Sequence, residues 1–232
     1  MQVEKSTGEN RILVNSGANA TVLPAVLSNT LFHEDPSVFP SLIVMQLETP
    51  LETVLYTCTE AKRSSIPVLL NPAPAIPLPD SVYSDVTVLV VNETEAGILS
   101  GALVGGENDE HVIDSAYKAA DWLAGRGCPN VIVTLGALGA VIHSSTPSGG
   151  PRRTHVPAFK ANVVDTTAAG DTFIGAISAV IAGIWGLRGI SRRREEDFDV
   201  IQKAVNFAVK AAAWTVARKG TWDAMPSATD VI

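Results

Sequence analysis

The run Val86-Thr87-Val88-Leu89-Val90-Val91 is apolar on both of its alternating faces, so as a strand it has to be covered from both sides. That requirement constrains the chain more than any other feature. Runs of this kind alternate with helical patterns: Arg11–Asn15 before Val22–Leu31, Leu42–Gln46 before Leu51–Arg63, Pro67–Asn71, then Thr87–Val91 before Glu93–Leu99. The rhythm continues through a helix at Tyr117–Ala124 closed by Gly125 and Gly127, a strand at Asn130–Leu135, a turn at Gly136–Gly139 and a strand at Ala140–His143. Repeated strand–helix–strand units give a twisted parallel sheet between helical layers. The last third reads as helical. Ile174–Leu187 is too short and too rich in Gly to span a bilayer but fits a helix buried on a sheet. Val200–Ala217 repeats apolar and Ala positions at helical spacing, with Lys219-Gly220 as its C-cap. Asn71–Pro79 lacks so many N–H groups that it reads as a stiff loop.

The 232 residues fit one domain spanning the chain, and 46% hydrophobic with 18% charged residues is a globular balance. A net charge of −7 argues against nucleic acid and against an anionic membrane as partners, because both reward clustered Lys and Arg. Any phosphate site must therefore be local. Cys58 and Cys128 form neither a disulfide framework nor a zinc spacing and read as packing residues of a reduced compartment. The N-terminal residues show no signal-peptide pattern, so the expected location is the cytoplasm, with the nucleus as alternative. The charge run Arg192–Asp197 reads as a solvated insertion.

Ligands of open α/β sheets collect beyond the carboxyl ends of the strands. Four segments fall there: Glu48 after Leu42–Leu47, Asn92 and Glu95 after Thr87–Val91, Thr134–Gly139 after the next strand, and Asp165–Asp171, which is expected to close the last. In Asp165-Thr166-Thr167-Ala168-Ala169-Gly170-Asp171, small residues allow a sharp turn with exposed N–H groups, and the helix that follows adds its positive end. A carboxylate at Asp171 then suits a general base beside a phosphate; the alternative is a plain helix start capped by Asp and Thr. Asn92-Glu93-Thr94-Glu95 is either a helix cap or a sparse oxygen set for Mg²⁺ on nucleotide phosphates. Thr134–Gly139 is either a close backbone approach to a nucleotide or a tight turn. Neither a dinucleotide fingerprint nor a Walker element occurs in the sequence.

Taken in order, Gly8-Glu9-Asn10-Arg11, Gly17-Ala18-Asn19-Ala20, Met45-Gln46-Leu47-Glu48, Leu70-Asn71-Pro72-Ala73-Pro74-Ala75, Asn92-Glu93-Thr94-Glu95, Thr134-Leu135-Gly136 and Ala168-Ala169-Gly170-Asp171-Thr172-Phe173 resemble segments of the ribokinase-like (PfkB) carbohydrate kinases. The resemblance covers almost the whole chain. It implies a three-layer α/β/α fold with a mostly parallel central sheet, and transfer of the γ-phosphate of ATP to the 5-hydroxyl of D-ribose, with Mg²⁺ and an activating K⁺. It further implies Asp171 as base and sugar contact, the N–H groups of Ala168, Ala169 and Gly170 as anion hole, and Glu48 as a sugar ligand. Asn92 and Glu95 would organise phosphates and Mg²⁺, the latter through water. Thr134, Gly136, Gly139 and Gly170 would line the nucleotide site. Asp165 and Thr167, with backbone near Arg218 and Gly220, would hold K⁺. A homodimer is the implied assembly. Members of the family begin with strands, a lid and a Gly-Gly-x-Gly-x-Asn signature that are not found in this sequence, so the chain reads as N-terminally truncated. Val209 stands where many relatives have Asn or His near the adenine, and Ala224 where a Ser closes the K⁺ loop. The two rival readings are another sugar or nucleoside kinase of the family and a nucleotide-binding form without catalysis.

Overall fold

In this computed structural model the described residues are 2–3, 10–11, 15–32, 35, 39–145, 150–188 and 197–231. Strands β1 (Gln2–Val3) and β2 (Asn10–Arg11) pair antiparallel with each other. A 3₁₀ turn at Gly17–Thr21 leads to α1 (Pro24–Leu31). Then come β3 (Ile43–Met45), α2 (Leu51–Arg63), β4 (Val68–Leu70), α3 (Asp80–Tyr83), β5 (Val88–Asn92), α4 (Glu93–Ser100), α5 (Asp109–Gly125) and β6 (Asn130–Thr134). The hairpin β7 (Ala140–Ser144) and β8 (Arg152–Val156) and the helices α6 (Ala169–Arg188) and α7 (Asp197–Val216) complete the order. Most of Arg11–Asn15, part of Gly8–Arg11 and nearly all of Arg192–Asp197 lie outside the described residues.

The main sheet follows chain order, β3-β4-β5-β6-β7-β8. Strands β3 to β6 are parallel, and β7 and β8 run antiparallel because the short turn after β6 reverses the chain without a crossover helix. Alternate strand residues enter opposite cores. Leu70, Leu89, Val91, Val131 and Val133 pack with α2, α4 and α5, while Leu69, Val88, Val90 and Ile132 pack with α6 and α7. This is the reason the strands are apolar on both faces. On α2, Val54, Cys58 and Ala61 recur at helical spacing and have no exposed surface. Burial pushes the Cys58 thiol up to about 12, in keeping with a packing role. Ile177 and Ile181 place one fully buried stripe of α6 on the sheet. Truncating either to Ala should cost ~2–5 kcal/mol.

Four expectations need correction. Helix α5 begins at Asp109 rather than Tyr117: the Asn108 side chain accepts the N–H of His111 at 2.9 Å, and Val112, Ile113 and Ala116 already carry the apolar helical spacing that continues to Leu123. Strand β8 has no counterpart in the sequence reading, because Arg152 and Arg153 give it the look of a loop; they are the charged outer side of an edge strand. Asp165–Asp171 therefore does not close a strand directly, since residues 157–164 intervene after Val156. Finally, α7 ends at Val216, so Lys219-Gly220 lies beyond it and serves a different purpose. Among the described residues no helix is long and apolar enough to cross a membrane.

Candidate active site

The turn before α6 is built by Asp165. Its Oδ1 accepts the N–H of Thr167 at 2.9 Å and its Oδ2 accepts the N–H of Gly220 at 3.1 Å. The hydroxyl and N–H of Thr167, then the N–H of Gly220, hold its carboxyl below the usual Asp value. Val164 and Asp165 also donate to the Val216 carbonyl at 2.7 and 3.2 Å, which ties the turn to the end of α7. Gly220, at φ +107, is free to adopt the conformation that aims its N–H at Asp165. Arg218 packs its guanidinium 3.6 Å from the centre of the Trp214 ring and donates to the Trp214 carbonyl at 2.8 Å, so its side chain faces back along α7.

Ala168 is held at φ +60, a conformation that costs a residue with a Cβ ~1–2 kcal/mol. The strained residue turns the backbone so that α6 starts at Ala169 and the first regular helical bond, from the Thr172 N–H to the Ala168 carbonyl, measures 2.9 Å. The Ala169 N–H is drawn to the Thr166 carbonyl at 3.3 Å. The N–H groups of Ala168, Gly170 and Asp171 have no acceptor among the described residues. Of the three expected anion-hole donors, Ala168 and Gly170 are thus available, Ala169 is partly engaged, and Asp171 adds its own N–H. Free donors at the head of a 20-residue helix suit an anion. The Asp171 side chain is exposed in the first turn, with no partner among the described residues.

A cleft of about 790 Å³ opens onto this turn. It is lined by Thr134, Gly136, Ala137 and Gly139 around the turn after β6, by Ala158–Val163 after β8, by Phe173 of α6, by Val209, Ala212, Ala213 and Val216 of α7, and by Thr166, Ala169 and Gly170 of the turn before α6. Its size suits a nucleotide-sized ligand, and its apolar lining suits a base. Lys160 is the one charged residue among those lining it. Val209 lines it with an aliphatic side chain. Gly139, at φ +95, is required by the fold itself: a Cβ would stand 2.0 Å from the Val156 carbonyl oxygen. Gly136, at φ +50, faces open space. Ala224 is buried at 1% exposure beside the Asp165–Gly220 tie in sequence.

Asn92 and Glu95 stand apart from the cleft lining but adjoin it, because Asn92 is the register partner of Thr134. Asn92 accepts the Glu95 N–H at 2.8 Å and donates its own N–H to Glu95 Oε2 at 2.9 Å, a reciprocal cap of α4. Both readings of this segment therefore coexist. Burial pushes the Glu95 carboxyl up, opposed by the Asn92 N–H and the Asn71 amide. Asn71 is a residue the sequence reading passed over: its Nδ2 donates to the Val90 carbonyl at 3.0 Å and to Glu95 Oε2 at 3.2 Å. Its place at the carboxyl end of β4 was the available signal. Glu95 Oε1 has no protein partner among the described residues, so the pair Asn92 and Glu95 fits a hard cation held mostly by phosphates and water. Among the described residues no cluster of three His, Cys, Asp or Glu forms a metal cage. Glu48 is exposed beyond β3, at the edge of the sheet, and does not line the cleft. The Leu47 N–H to the Ala73 carbonyl, 3.0 Å, joins its bend to the Asn71 loop.

A three-layer sheet-and-helix fold with these sites at the carboxyl ends of its strands is the ribokinase-like α/β fold. The chain matches the pfkB family carbohydrate kinase model over residues 1–228 and belongs to that family. It is 37% identical to a ribokinase of Schizosaccharomyces pombe over 231 residues, covering 100% of this chain and 65% of that protein. Among solved structures it resembles Thermotoga maritima ribokinase with TM-score 0.73 and 28% identity, covering 97% of this chain and 65% of the other. It also resembles Arabidopsis thaliana ribokinase complexed with ribose and ATP, with TM-score 0.70 and 25% identity, covering 97% and 65%. The chain thus spans 65% of the length of each of these three relatives.

Proposed function

We propose that this chain is the nucleotide-binding and catalytic part of an ATP-dependent sugar kinase whose acceptor is the 5-hydroxyl of D-ribose. The carrying observation is the junction of the cleft with the turn at Ala168–Asp171, where unpaired N–H groups meet an exposed carboxylate. ATP lies with its base in the apolar cleft and its γ-phosphate at the turn. Asp171 takes the proton of the sugar hydroxyl as that oxygen forms its bond to phosphorus and the bond to the ADP oxygen breaks in line. The N–H groups of Ala168, Gly170 and Asp171 stabilise charge on the moving phosphoryl oxygens without reorganising. Asn92 and Glu95 would hold Mg²⁺, which when bound neutralises phosphate charge. Asp165 and Thr167, with backbone near Arg218 and Gly220, would hold K⁺. Glu48 contributes to sugar binding from the sheet edge. The relative crystallised with ribose and ATP supports this substrate pair.

A coupled ADP-release assay with D-ribose, 2-deoxy-D-ribose, D-fructose and adenosine tests the reading. Turnover highest with D-ribose supports it, and turnover highest with another acceptor assigns the chain to a different sugar or nucleoside kinase. Glu48, the expected sugar ligand, is exposed and does not line the cleft, which favours a second reading, a chain that binds nucleotide without transfer. Calorimetric ATP binding with no turnover on any acceptor selects that one.

A further inference from the structure

We propose that His155 is a positioning residue for the nucleotide: it pins the Gly136–Gly139 turn to β8, beside the Ala158–Val163 segment, and so fixes the part of the cleft lining that these two segments form together. His155 Nε2 lies 2.6 Å from the carbonyl oxygen of Leu138. A carbonyl only accepts, so Nε2 carries the proton. The turn needs such a tie. Gly136 and Gly139 both have positive φ, +50 and +95, and glycines surrender the most freedom on ordering. Within the turn, the bonds from the Leu138 N–H to Leu135 and from the Gly139 N–H to Gly136, at 2.9 and 3.1 Å, close it on itself without anchoring it to β8.

His155 supplies that anchor from β8, the strand whose continuation carries Phe159 and Lys160 into the cleft. A second contact points the same way. Gly139 presses so closely on Val156–Ala158 that a Cβ would meet the Ala158 nitrogen at 2.5 Å. One side chain that does not itself line the cleft thereby holds two adjacent lining segments together. The inference rests on the nucleotide reading of the cleft.

The test is calorimetric titration of the whole chain with ADP, alongside hydrogen exchange of the Leu135–Ala140 amides. Loss of one hydrogen bond predicts that His155→Phe weakens ADP binding about 3- to 10-fold and speeds exchange at the turn. His155→Gln, which keeps a donor of similar reach, should stay within about 2-fold of the parent. Should the Phe variant not fold, His155→Asn, too short to reach Leu138, takes its place with the same expected loss. Unchanged ADP affinity in the donor-less variant, or an equal loss in the Gln variant, overturns the inference. A parent chain that binds no ADP overturns the nucleotide reading and this inference together, and that outcome is seen before any substitution is made.

Discussion

Asp165 Oδ2 accepts the N–H of Gly220 across 55 positions of sequence, at 3.1 Å, so one carboxylate joins the turn before α6 to the segment after α7. Both helices lie between these two points, and α6 and α7 share the core on one face of the sheet. Thr167 lowers the Asp165 pKa most, and the Gly220 N–H assists. A depressed folded pKa means that the stability Asp165 contributes is complete above the ordinary value of 3.8 and is lost as pH falls through the lower folded value. Asp165→Asn should therefore melt below the parent by a constant margin above that pH, and the margin should shrink on further acidification. Thermal melts across the acid range measure it; a margin that grows on acidification contradicts the assignment. The same variant should lose K⁺ activation of turnover.

Glu95 has the opposite sign. Its folded pKa is raised above 4.5, chiefly by burial, so between those two values the folded state binds more protons and stability falls as pH rises. Glu95→Gln keeps an acceptor for the Asn71 and Asn92 N–H groups and removes the buried charge. We expect its melting temperature to match or exceed that of the parent near neutral pH, with the difference vanishing below 4.5. Binding of MgATP should weaken in the parent as pH falls through the raised pKa, and this dependence should be absent in the variant. Calorimetry over that window decides between the two behaviours.

Period and local chemistry account for most of what the sequence discloses. Both bounds of α2 and the start of α4 were legible, because apolar spacing and the Asn92–Glu95 cap are local. The Ala168–Asp171 turn was legible for the same reason: small residues run straight into an apolar helix. What escaped was set by neighbours distant in sequence. Asn71 touches Glu95 only because β4 lies beside β5; its place at the end of a strand marks it for a site, but not its partner. His155 and the wall at Ala158–Val163 belong to a charged edge strand and an aperiodic loop, which carry no hydrophobic rhythm. Gly139 was recognised as a turn residue, but its closeness to the Val156 carbonyl depends on the β7–β8 pairing.

The two glycines of the turn between β6 and β7 should respond very differently to a methyl group. At Gly139 the added Cβ meets backbone atoms of Val156, Pro157 and Ala158 at 2.0 to 2.6 Å, and none of them is the end of a flexible side chain. Gly139→Ala must displace a strand end, and should cost more than ~3 kcal/mol or prevent folding. At Gly136 nothing lies within 4 Å, and only the positive φ is strained, so Gly136→Ala should cost ~1–2 kcal/mol. Urea unfolding of both variants checks the order, and comparable losses would contradict the backbone geometry of the turn.

Asp171 is placed where base catalysis and plain capping make different demands. It lies in the first turn of α6, exposed, next to the unpaired N–H of Gly170, and its side chain makes no hydrogen bond among the described residues. Asp171→Asn keeps size and polarity while removing the proton acceptor, so stability should change little. General-base catalysis is commonly worth ~10²–10⁴-fold, and turnover on D-ribose should fall by that order. ATP affinity should hold or rise slightly, because a negative charge beside the γ-phosphate has been removed. Steady-state kinetics with the coupled assay and calorimetry with ATP separate the two effects. If sugar phosphorylation persists in the Asn variant at the parent rate, Asp171 is a helix-start residue, and the proton must leave the sugar hydroxyl by another route.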